Sequence, residues 1–164
     1  NQFQNIIEQI AYKPHLKTHF ISPWVPQYTI RGEGKQQKVV VCPCHGWLHL
    51  RILNNKLHMH MYQRSGDVPI GVPSNMMQYA ALLMMLSKAT GYEPGEYVHT
   101  ISDAHIYVDQ IDAVKEIIAR PTLPFPTMHF NNESTDFWSY RVEDFELGDD
   151  YKRGDPIKDI PVAI

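Results

Sequence analysis

Apolar residues recur at helical spacing in three segments of the chain. Residues 1–12 predict a first helix, with Phe3, Ile6, Ile7 and Ile10 on one face, and Pro14 ends the pattern. A second helix, apolar nearly all round, is predicted from Ser74 as N-cap to about Thr90, with Gly91 as its stop. Such a helix is typical of a central, buried position. A third, amphipathic helix is predicted over 109–119 and ends before Pro121.

Alternating residues predict the strands between these helices. The clearest signal is a hairpin of residues 48–53 and 57–62 around Asn54-Asn55, in which apolar residues alternate with polar and aromatic ones. Further strands are predicted at 15–24, 38–43, 97–107 and 137–145, of which 38–43 is expected to be buried and to lead into Cys44. The tail from 149 to 164 is predicted to be a loop.

Length and composition limit the classes of protein to which this chain can belong. A length of 164 residues suits one domain over 1–164 with a sizeable core. The net charge of −3 carries no basic excess, so nucleic acid is not expected as a partner. Two cysteines and the lack of a leader or a long apolar segment predict a reduced, cytoplasmic setting without a membrane span. Because the first helix begins at residue 1, we expect further protein upstream.

Cys44 is the candidate nucleophile. It lies between Pro43 and His45, and Arg64-Ser65 follows about twenty positions later. The thiolate is the reactive form of cysteine, and a nearby cation stabilises it. Arg64 could supply that charge or bind a phosphate through its fork of donors, with help from the Ser65 hydroxyl. The alternative is that Cys44 is a small core residue. Cys42 is expected to pack, and the two thiols are too close along a strand for an unstrained disulfide.

Two further polar sets each leave two interpretations open. A metal site is suggested by His58 and His60, with His49 across the hairpin. Zinc, however, needs a third or fourth protein ligand, and no further ligand stands at a spacing typical of zinc sites. A structural or interface role is therefore favoured, and no metal is expected. Asp103, His105 and Tyr107 alternate at a strand end, where they could meet a ligand hydroxyl or ring or lie on a surface strand.

With these residues in place, the chain resembles the thymidylate synthase family over nearly its whole length. Five motifs stand in the family's order and spacing: Pro-Cys-His at 43–45, Gln-Arg-Ser-Gly-Asp at 63–67, Gly-Val-Pro-Ser-Asn at 71–75, Asp-Ala-His-Ile-Tyr at 103–107 and Pro-Val-Ala-Ile at 161–164. The resemblance implies an α/β (α+β) fold, namely a mixed-sheet sandwich with a central buried helix, as well as a homodimer formed through that sheet and a tail that closes over the cofactor. It also implies that the chain is the C-terminal catalytic portion of a longer protein whose N-terminal segment is missing here.

The resemblance also implies a role for each motif residue. Cys44 is then the nucleophile, with His45 and Asn75 as its catalytic neighbours, and no metal takes part. The substrate dUMP is contacted by Arg64, Ser65, Gly66, Asp67, Asn75, His105, Tyr107 and Lys17, where Arg64 and Ser65 hold the phosphate, Asn75 the pyrimidine, and His105 and Tyr107 the deoxyribose hydroxyl. The co-substrate 5,10-methylenetetrahydrofolate is contacted by Asp67, Gly71 and Ala163.

Some positions depart from the family's pattern. Lys17 and Thr18 stand where the family has an arginine pair that reaches the phosphate from the partner subunit, so one charge and a bidentate fork are lost. Ser74 replaces a phenylalanine, Ser102 replaces a glycine, and Gly46-Trp47 differs from the commoner sequence. The family's N-terminal catalytic glutamate is also absent, so the 164-residue chain alone is expected to be inactive or nearly so.

Three functions follow as hypotheses. The first is folate-dependent methylation of dUMP to dTMP through a covalent cysteine adduct. The second is a dUMP hydroxymethylase, in which water instead of hydride completes the reaction. The third is a nonenzymatic dimerisation or binding domain. Asn75 favours uracil over cytosine in both enzymatic cases, because the family's cytosine-specific members tend to carry an acidic residue there.

Overall fold

A four-stranded mixed sheet forms the centre of the computed structural model, which describes residues 1–158 and 160–162. Its strands are β1 (Phe20–Ile21), β2 (Trp47–Leu53), β3 (Lys56–Asp67) and β4 (Glu93–His105), in that order across the sheet. The helices are α1 (Gln2–Tyr12), α2 (Pro26–Thr29), α3 (Gly71–Thr90) and α4 (Ile111–Ala119). A two-stranded sheet of β5 (Met128–Phe130) and β6 (Phe145–Leu147) lies near the end of the chain.

The predicted hairpin is confirmed and sets the register of the sheet. β2 and β3 pair antiparallel from Trp47 opposite Tyr62 to Leu53 opposite Lys56, and Asn54 and Asn55 turn the chain with positive φ angles of 50° and 60°. Asparagine tolerates this left-handed conformation better than most residues. β3 then continues beyond the predicted end to Asp67 and pairs parallel with β4 after the α3 crossover.

The hydrophobic core lies between one face of this sheet and helices α1 and α3. The sheet contributes alternate residues of β2 and β3, and the helices contribute Ile6, Ile10, Leu83 and Leu86, all of them buried. Each large aliphatic side chain buried in this way stabilises the fold by roughly 1.5–3 kcal/mol. The predicted fold class is therefore confirmed, as are α1, α4 and the Gly91 stop, which has φ +76°. The all-round burial expected of α3 does not extend to Met76 and Met77, which are 48% and 64% exposed.

The predicted start of α3 is wrong by about one turn. The helix begins at Gly71, not after Ser74, so Ser74 is no N-cap and Asn75 lies in the second turn. Pro73 does not prevent this, because residues of the first helical turn have no intrahelical partner for an N–H. At the helix start the Asp67 carboxylate accepts a hydrogen bond from the Ile70 N–H at 3.3 Å.

Three predicted strands also differ from the structure. Residues 15–24 contain only the short β1, and 38–43 form no strand, with Val40 96% and Val41 72% exposed. Next to β2 the edge at Leu48 and His49 is taken by β1, and residues 38–43 pair with no strand of the sheet. Residues 137–144 form two 3₁₀ turns and a strand begins only at Phe145, because Asp136 accepts the Trp138 N–H and Asp144 accepts the Arg141 N–H. Such local bonds compete with a strand ladder.

The tail has no helix or strand within residues 149–158 and 160–162, as predicted. No helix in the described part of the chain has the length and apolar character needed to cross a membrane.

Candidate active site

Arg64 of β3 holds the segment that carries Cys44. Its backbone N–H donates to the Cys44 carbonyl at 2.8 Å, its Nε to the Pro43 carbonyl at 2.7 Å and its Nη2 to the Cys42 carbonyl at 2.9 Å. The same Nη2 lies 3.3 Å from the Cys44 sulfur. Both cysteines are half-buried free thiols, and Cys42 contacts Gln37 Oε1 at 3.3 Å. A sulfur anion at Cys44 would therefore meet a guanidinium donor that is already fixed in place.

Asn75 is hydrogen-bonded to His45, the residue that follows the candidate nucleophile Cys44. Its Nδ2 donates to His45 Nε2 at 3.3 Å, and His45 Nδ1 lies 2.6 Å from the hydroxyl of Tyr79, one turn after Asn75 on α3. Because an amide nitrogen can only donate, Nε2 of His45 must accept, and in the neutral ring Nδ1 then donates to Tyr79. The structure thus brings the candidate residues His45 and Asn75 together.

Gln63, on the inner face of β3, forms a polar cluster with Asn75 and His45. It is only 2% exposed, and its Nε2 donates to the Ser65 carbonyl at 2.9 Å and to Asn75 Oδ1 at 3.1 Å. Its Oε1 lies 2.8 Å from Nε2 of His99 on β4, whose Nδ1 is 3.2 Å from the Tyr97 hydroxyl.

Sequence reasoning singled out Gln63 only as part of a motif and missed Tyr79, Tyr97 and His99. A signal was present at Gln63, which continues the buried alternation of Leu57, Met59 and Met61. A polar side chain at a core position requires buried hydrogen-bond partners.

Burial sets the charge state of this cluster. It lowers the pKa of His45 and His99, and the proximity of His45 lowers that of His99 further. It raises the pKa of Tyr79 and of Tyr97, and the nearby Tyr79 raises that of Tyr97 a little further. Both histidines and both tyrosines are therefore neutral at pH 7. The cluster can therefore offer hydrogen bonds to a ligand but no charge.

Gln110 links Asp67 to the tail. This residue is fully buried, and its Nε2 donates to Asp67 Oδ2 at 3.0 Å and to the Pro161 carbonyl at 2.8 Å. Gly71 lies close to both Asp67 and Asn75. A Cβ built on this glycine would be 3.9 Å from Asp67 Cβ and 3.9 Å from Asn75 Oδ1. The predicted cofactor residues Asp67 and Gly71 are thus neighbours, whereas Ala163 lies outside the described residues.

The parallel strands β3 and β4 bring Asp103 and His105, at the carboxyl end of β4, next to the motif residues at the carboxyl end of β3. Ser65 pairs with Asp103 and Asp67 with His105 across the two strands. The rings of His105 and Tyr107 meet edge to face with centroids 5.0 Å apart, and His105 Nδ1 is 3.5 Å from Asp103 Oδ1. Ligands of α/β proteins commonly bind at such strand ends.

Gly66 faces the inside of the fold. A Cβ at this position would lie 2.9 Å from Val72 Cγ2 and 3.0 Å from Gln63 Nε2. The structure therefore places Gly66 against the Gln63 amide, where it leaves room for the polar cluster.

Arg31 joins Arg64 in lining a cavity of about 460 Å³, together with Thr29, Gln37 and Cys42. None of the residues that line it carries a carboxylate, and Gln37 Oε1 holds Arg31 Nε at 2.7 Å. Two guanidinium groups without a competing acid make this cavity suited to an anion. Sequence reasoning missed Arg31.

Lys17 lies elsewhere, in a cavity of about 450 Å³ on the outer face of the sheet with Phe20, Trp47, His49, His60 and Tyr62. Within one chain, the structure does not bring Lys17 to the cavity of Arg64. The expectation that this position reaches the phosphate of a partner subunit stays a prediction.

The histidines of the outer face have protein partners. His49 Nε2 is 3.0 Å from the Lys17 carbonyl, and His60 Nε2 is 2.8 Å from the Thr100 hydroxyl. In residues 1–158 and 160–162, no three histidine, cysteine or acidic side chains come together as metal ligands.

Comparisons with known proteins agree on one family. The family model described as thymidylate synthase matches residues 1–164. The structure is similar to that of the thermostable thymidylate synthase A from Bacillus subtilis, with a TM-score of 0.88 and 29% sequence identity. The match covers 98% of this chain and 55% of that chain, so this chain spans little more than half the length of that enzyme.

Proposed function

Because this chain belongs to the thymidylate synthase family, we propose that the protein containing it transfers a one-carbon unit from 5,10-methylenetetrahydrofolate to C5 of dUMP. Family membership confirms the resemblance found in the sequence. One observation carries the proposal: Cys44 contacts Arg64, and the adjacent His45 accepts a hydrogen bond from Asn75. A nucleophile, a cation and an amide for a pyrimidine edge thus meet in one place.

Cys44 acts as the nucleophile in the proposed reaction. C5 of uracil is a poor nucleophile until a thiolate adds to C6, which turns the ring into an enolate that can attack through C5. Arg64 holds the Cys42–Cys44 segment by three hydrogen bonds, so the sulfur approaches the ring from a fixed position. When bound, methylenetetrahydrofolate supplies the one-carbon unit and, in the methylation reaction, the hydride.

Asn75 orients the pyrimidine. Its Oδ1 accepts one hydrogen bond from Gln63 and its Nδ2 donates one to His45, which leaves one lone pair and one N–H for a ligand. Those two groups match the ring N–H and the neighbouring carbonyl of uracil. His105 and Tyr107 are proposed to contact the deoxyribose, and Arg64, Arg31 and Ser65 the phosphate.

Asp67 and Gly71 are the described residues proposed to contact the folate. The Asp67 carboxylate is held by the Gln110 amide and by the Ile70 N–H, so it presents acceptors of fixed direction. A carboxylate of this kind suits the N–H groups of a reduced pterin. Gln110 also bonds to the Pro161 carbonyl, which supports a role for the tail beside the cofactor.

We further propose a homodimer formed through the outer face of the sheet. This face carries Phe20, Tyr62 and Val98, which are 50%, 40% and 48% exposed. Aromatic and aliphatic residues that share one sheet face favour a protein interface. The partner's Lys17 is then proposed to reach the phosphate. Two free thiols suit a reduced compartment, and we propose the cytoplasm.

The test is to incubate the intact protein that carries this chain with dUMP and methylenetetrahydrofolate. We expect a product heavier by one methylene unit, with dihydrofolate absorbance, and no product from a Cys44→Ser variant. A hydroxymethyl product without dihydrofolate would instead assign the second reaction, in which water completes the transfer. If the folded protein binds neither compound, the proposed enzyme function is wrong and a nonenzymatic domain remains. The 164-residue chain alone is expected to turn over little or nothing.

A further inference from the structure

We propose that His99, held by Tyr97, is a positioning residue that fixes the polarity of the Asn75 amide through Gln63. The inference rests on the proposed function, in which Asn75 recognises the pyrimidine edge. It assigns a role in substrate selection to two residues of β4 that lie outside the sequence motifs of the site.

Gln63 can adopt only one amide orientation in this environment. The Ser65 carbonyl is a fixed acceptor 2.9 Å from Gln63 Nε2. If the amide were reversed, its oxygen would face that carbonyl oxygen, and because Gln63 is only 2% exposed, water has little access to compensate for the mismatch. Gln63 therefore donates to Asn75 Oδ1 and accepts from His99 Nε2.

His99 must in turn carry its proton on Nε2. The Gln63 oxygen can only accept, so the Nε2 that lies 2.8 Å from it donates. In the neutral ring Nδ1 is then an acceptor, and the Tyr97 hydroxyl lies 3.2 Å away to donate to it. Desolvation lowers the pKa of His99 and raises that of Tyr97, so both stay neutral around pH 7. The groups that face His99 are Tyr97 on its own strand, Gln63 on β3 and, by charge interaction, His45.

The donors and acceptors then run in one direction from Tyr97 through His99, Gln63 and Asn75 to His45. Reversing the Asn75 amide would place its nitrogen against the Gln63 donor and its oxygen against the His45 acceptor. Cytosine presents an acceptor at N3 and a donor at C4, the reverse of uracil, and would require that reversal. His99 thus contributes to the selection of uracil without touching the ring.

The test compares dUMP and dCMP binding to the intact protein, by calorimetry, for the wild type and three variants. His99→Phe keeps a ring but removes the donor, and we expect the preference for dUMP over dCMP to fall at least about fivefold. His99→Gln restores a donor near the position of Nε2, and we expect it to retain the preference within about twofold. His129→Phe, at an exposed position of β5, is the matched control and should change nothing.

An unchanged preference in folded His99→Phe would overturn the proposal, even if its stability falls. Absence of dUMP binding by the wild type would instead refute the proposed function. A second measurement needs no substrate and does not depend on how the variants fold. The ¹⁵N spectrum of the wild-type imidazoles should show His99 as the neutral Nε2–H tautomer. The Nδ1–H tautomer would overturn the proposed direction of the hydrogen bonds.

Discussion

Nη2 of Arg64 lies 3.3 Å from the sulfur of Cys44 and 2.9 Å from the carbonyl of Cys42. One guanidinium therefore contacts the candidate nucleophile and also holds the chain that carries it. Because a planar fork can satisfy both groups at once, arginine is required here for its shape as well as its charge.

Replacing Arg64 with lysine should keep the positive charge but remove the planar guanidinium with its several donors. The hydrogen bonds to the Pro43 and Cys42 carbonyls cannot both be kept by one ammonium group, so the position of Cys44 becomes less defined. We expect covalent trapping of Cys44 by 5-fluoro-dUMP with methylenetetrahydrofolate to slow by at least about tenfold. Mass spectrometry of the adduct over time measures this rate. Arg153→Lys in the exposed tail is the control, and an equal rate in both variants would contradict the role of the fork.

Arg31 should contribute to binding only when the ligand carries a phosphate. It lines the same cavity as Arg64, and charge-assisted hydrogen bonds are stronger than neutral ones. We expect Arg31→Ala to weaken dUMP binding about five- to tenfold and to leave the binding of deoxyuridine unchanged. Lys35→Ala, in the same turn but outside the cavity, should affect neither ligand. An equal loss for both ligands would mean that Arg31 supports the loop and not the phosphate.

Stability should fall as the pH drops below about 6.5, the ordinary pKa of histidine. Burial lowers the pKa of His45 and His99 in the folded protein, so the unfolded chain binds more protons over this range. At higher pH both rings are neutral in both states, and their contribution no longer depends on pH. Urea unfolding of the intact protein between pH 7.5 and 5 should show a smaller decline for His99→Gln than for the wild type. A His129→Gln control should follow the wild type, and a steeper decline for His99→Gln would contradict the assignment.

Val98→Glu should separate the proposed dimer. Val98 stands on the outer face of the sheet opposite His60, so the substitution would bury an unpaired carboxylate between the two sheets. We expect the dimer to dissociate at least about a hundredfold more readily, as measured by sedimentation of the intact protein. The control is Val142→Glu, since Val142 is 77% exposed and lies on a 3₁₀ turn away from this sheet. Dimers of unchanged stability would place the interface elsewhere.

The sequence alone predicted the elements whose signals are local. The Asn54-Asn55 turn fixed the β2–β3 hairpin, and helical spacing fixed α1 and α4, because each signal lies within one segment of the chain. The motifs were enough to indicate the family. The same local reasoning failed at residues 38–43, where an apolar run suggested a buried strand but the segment pairs with no strand of the sheet and leaves Val40 and Val41 exposed.

The tertiary structure decided which polar groups meet. Gln63 and His99 are 36 positions apart, and the parallel pairing of β3 with β4 brings them to 2.8 Å on the inner face of the sheet. Arg31 reaches the cavity of Arg64 only through the course of an irregular loop. Periodicity shows which face of an element is buried, but hydrogen-bond partners depend on the register between elements distant in sequence. The sequence by itself therefore determined the candidate nucleophile and its motif residues, and only the fold determined the contacts that orient them.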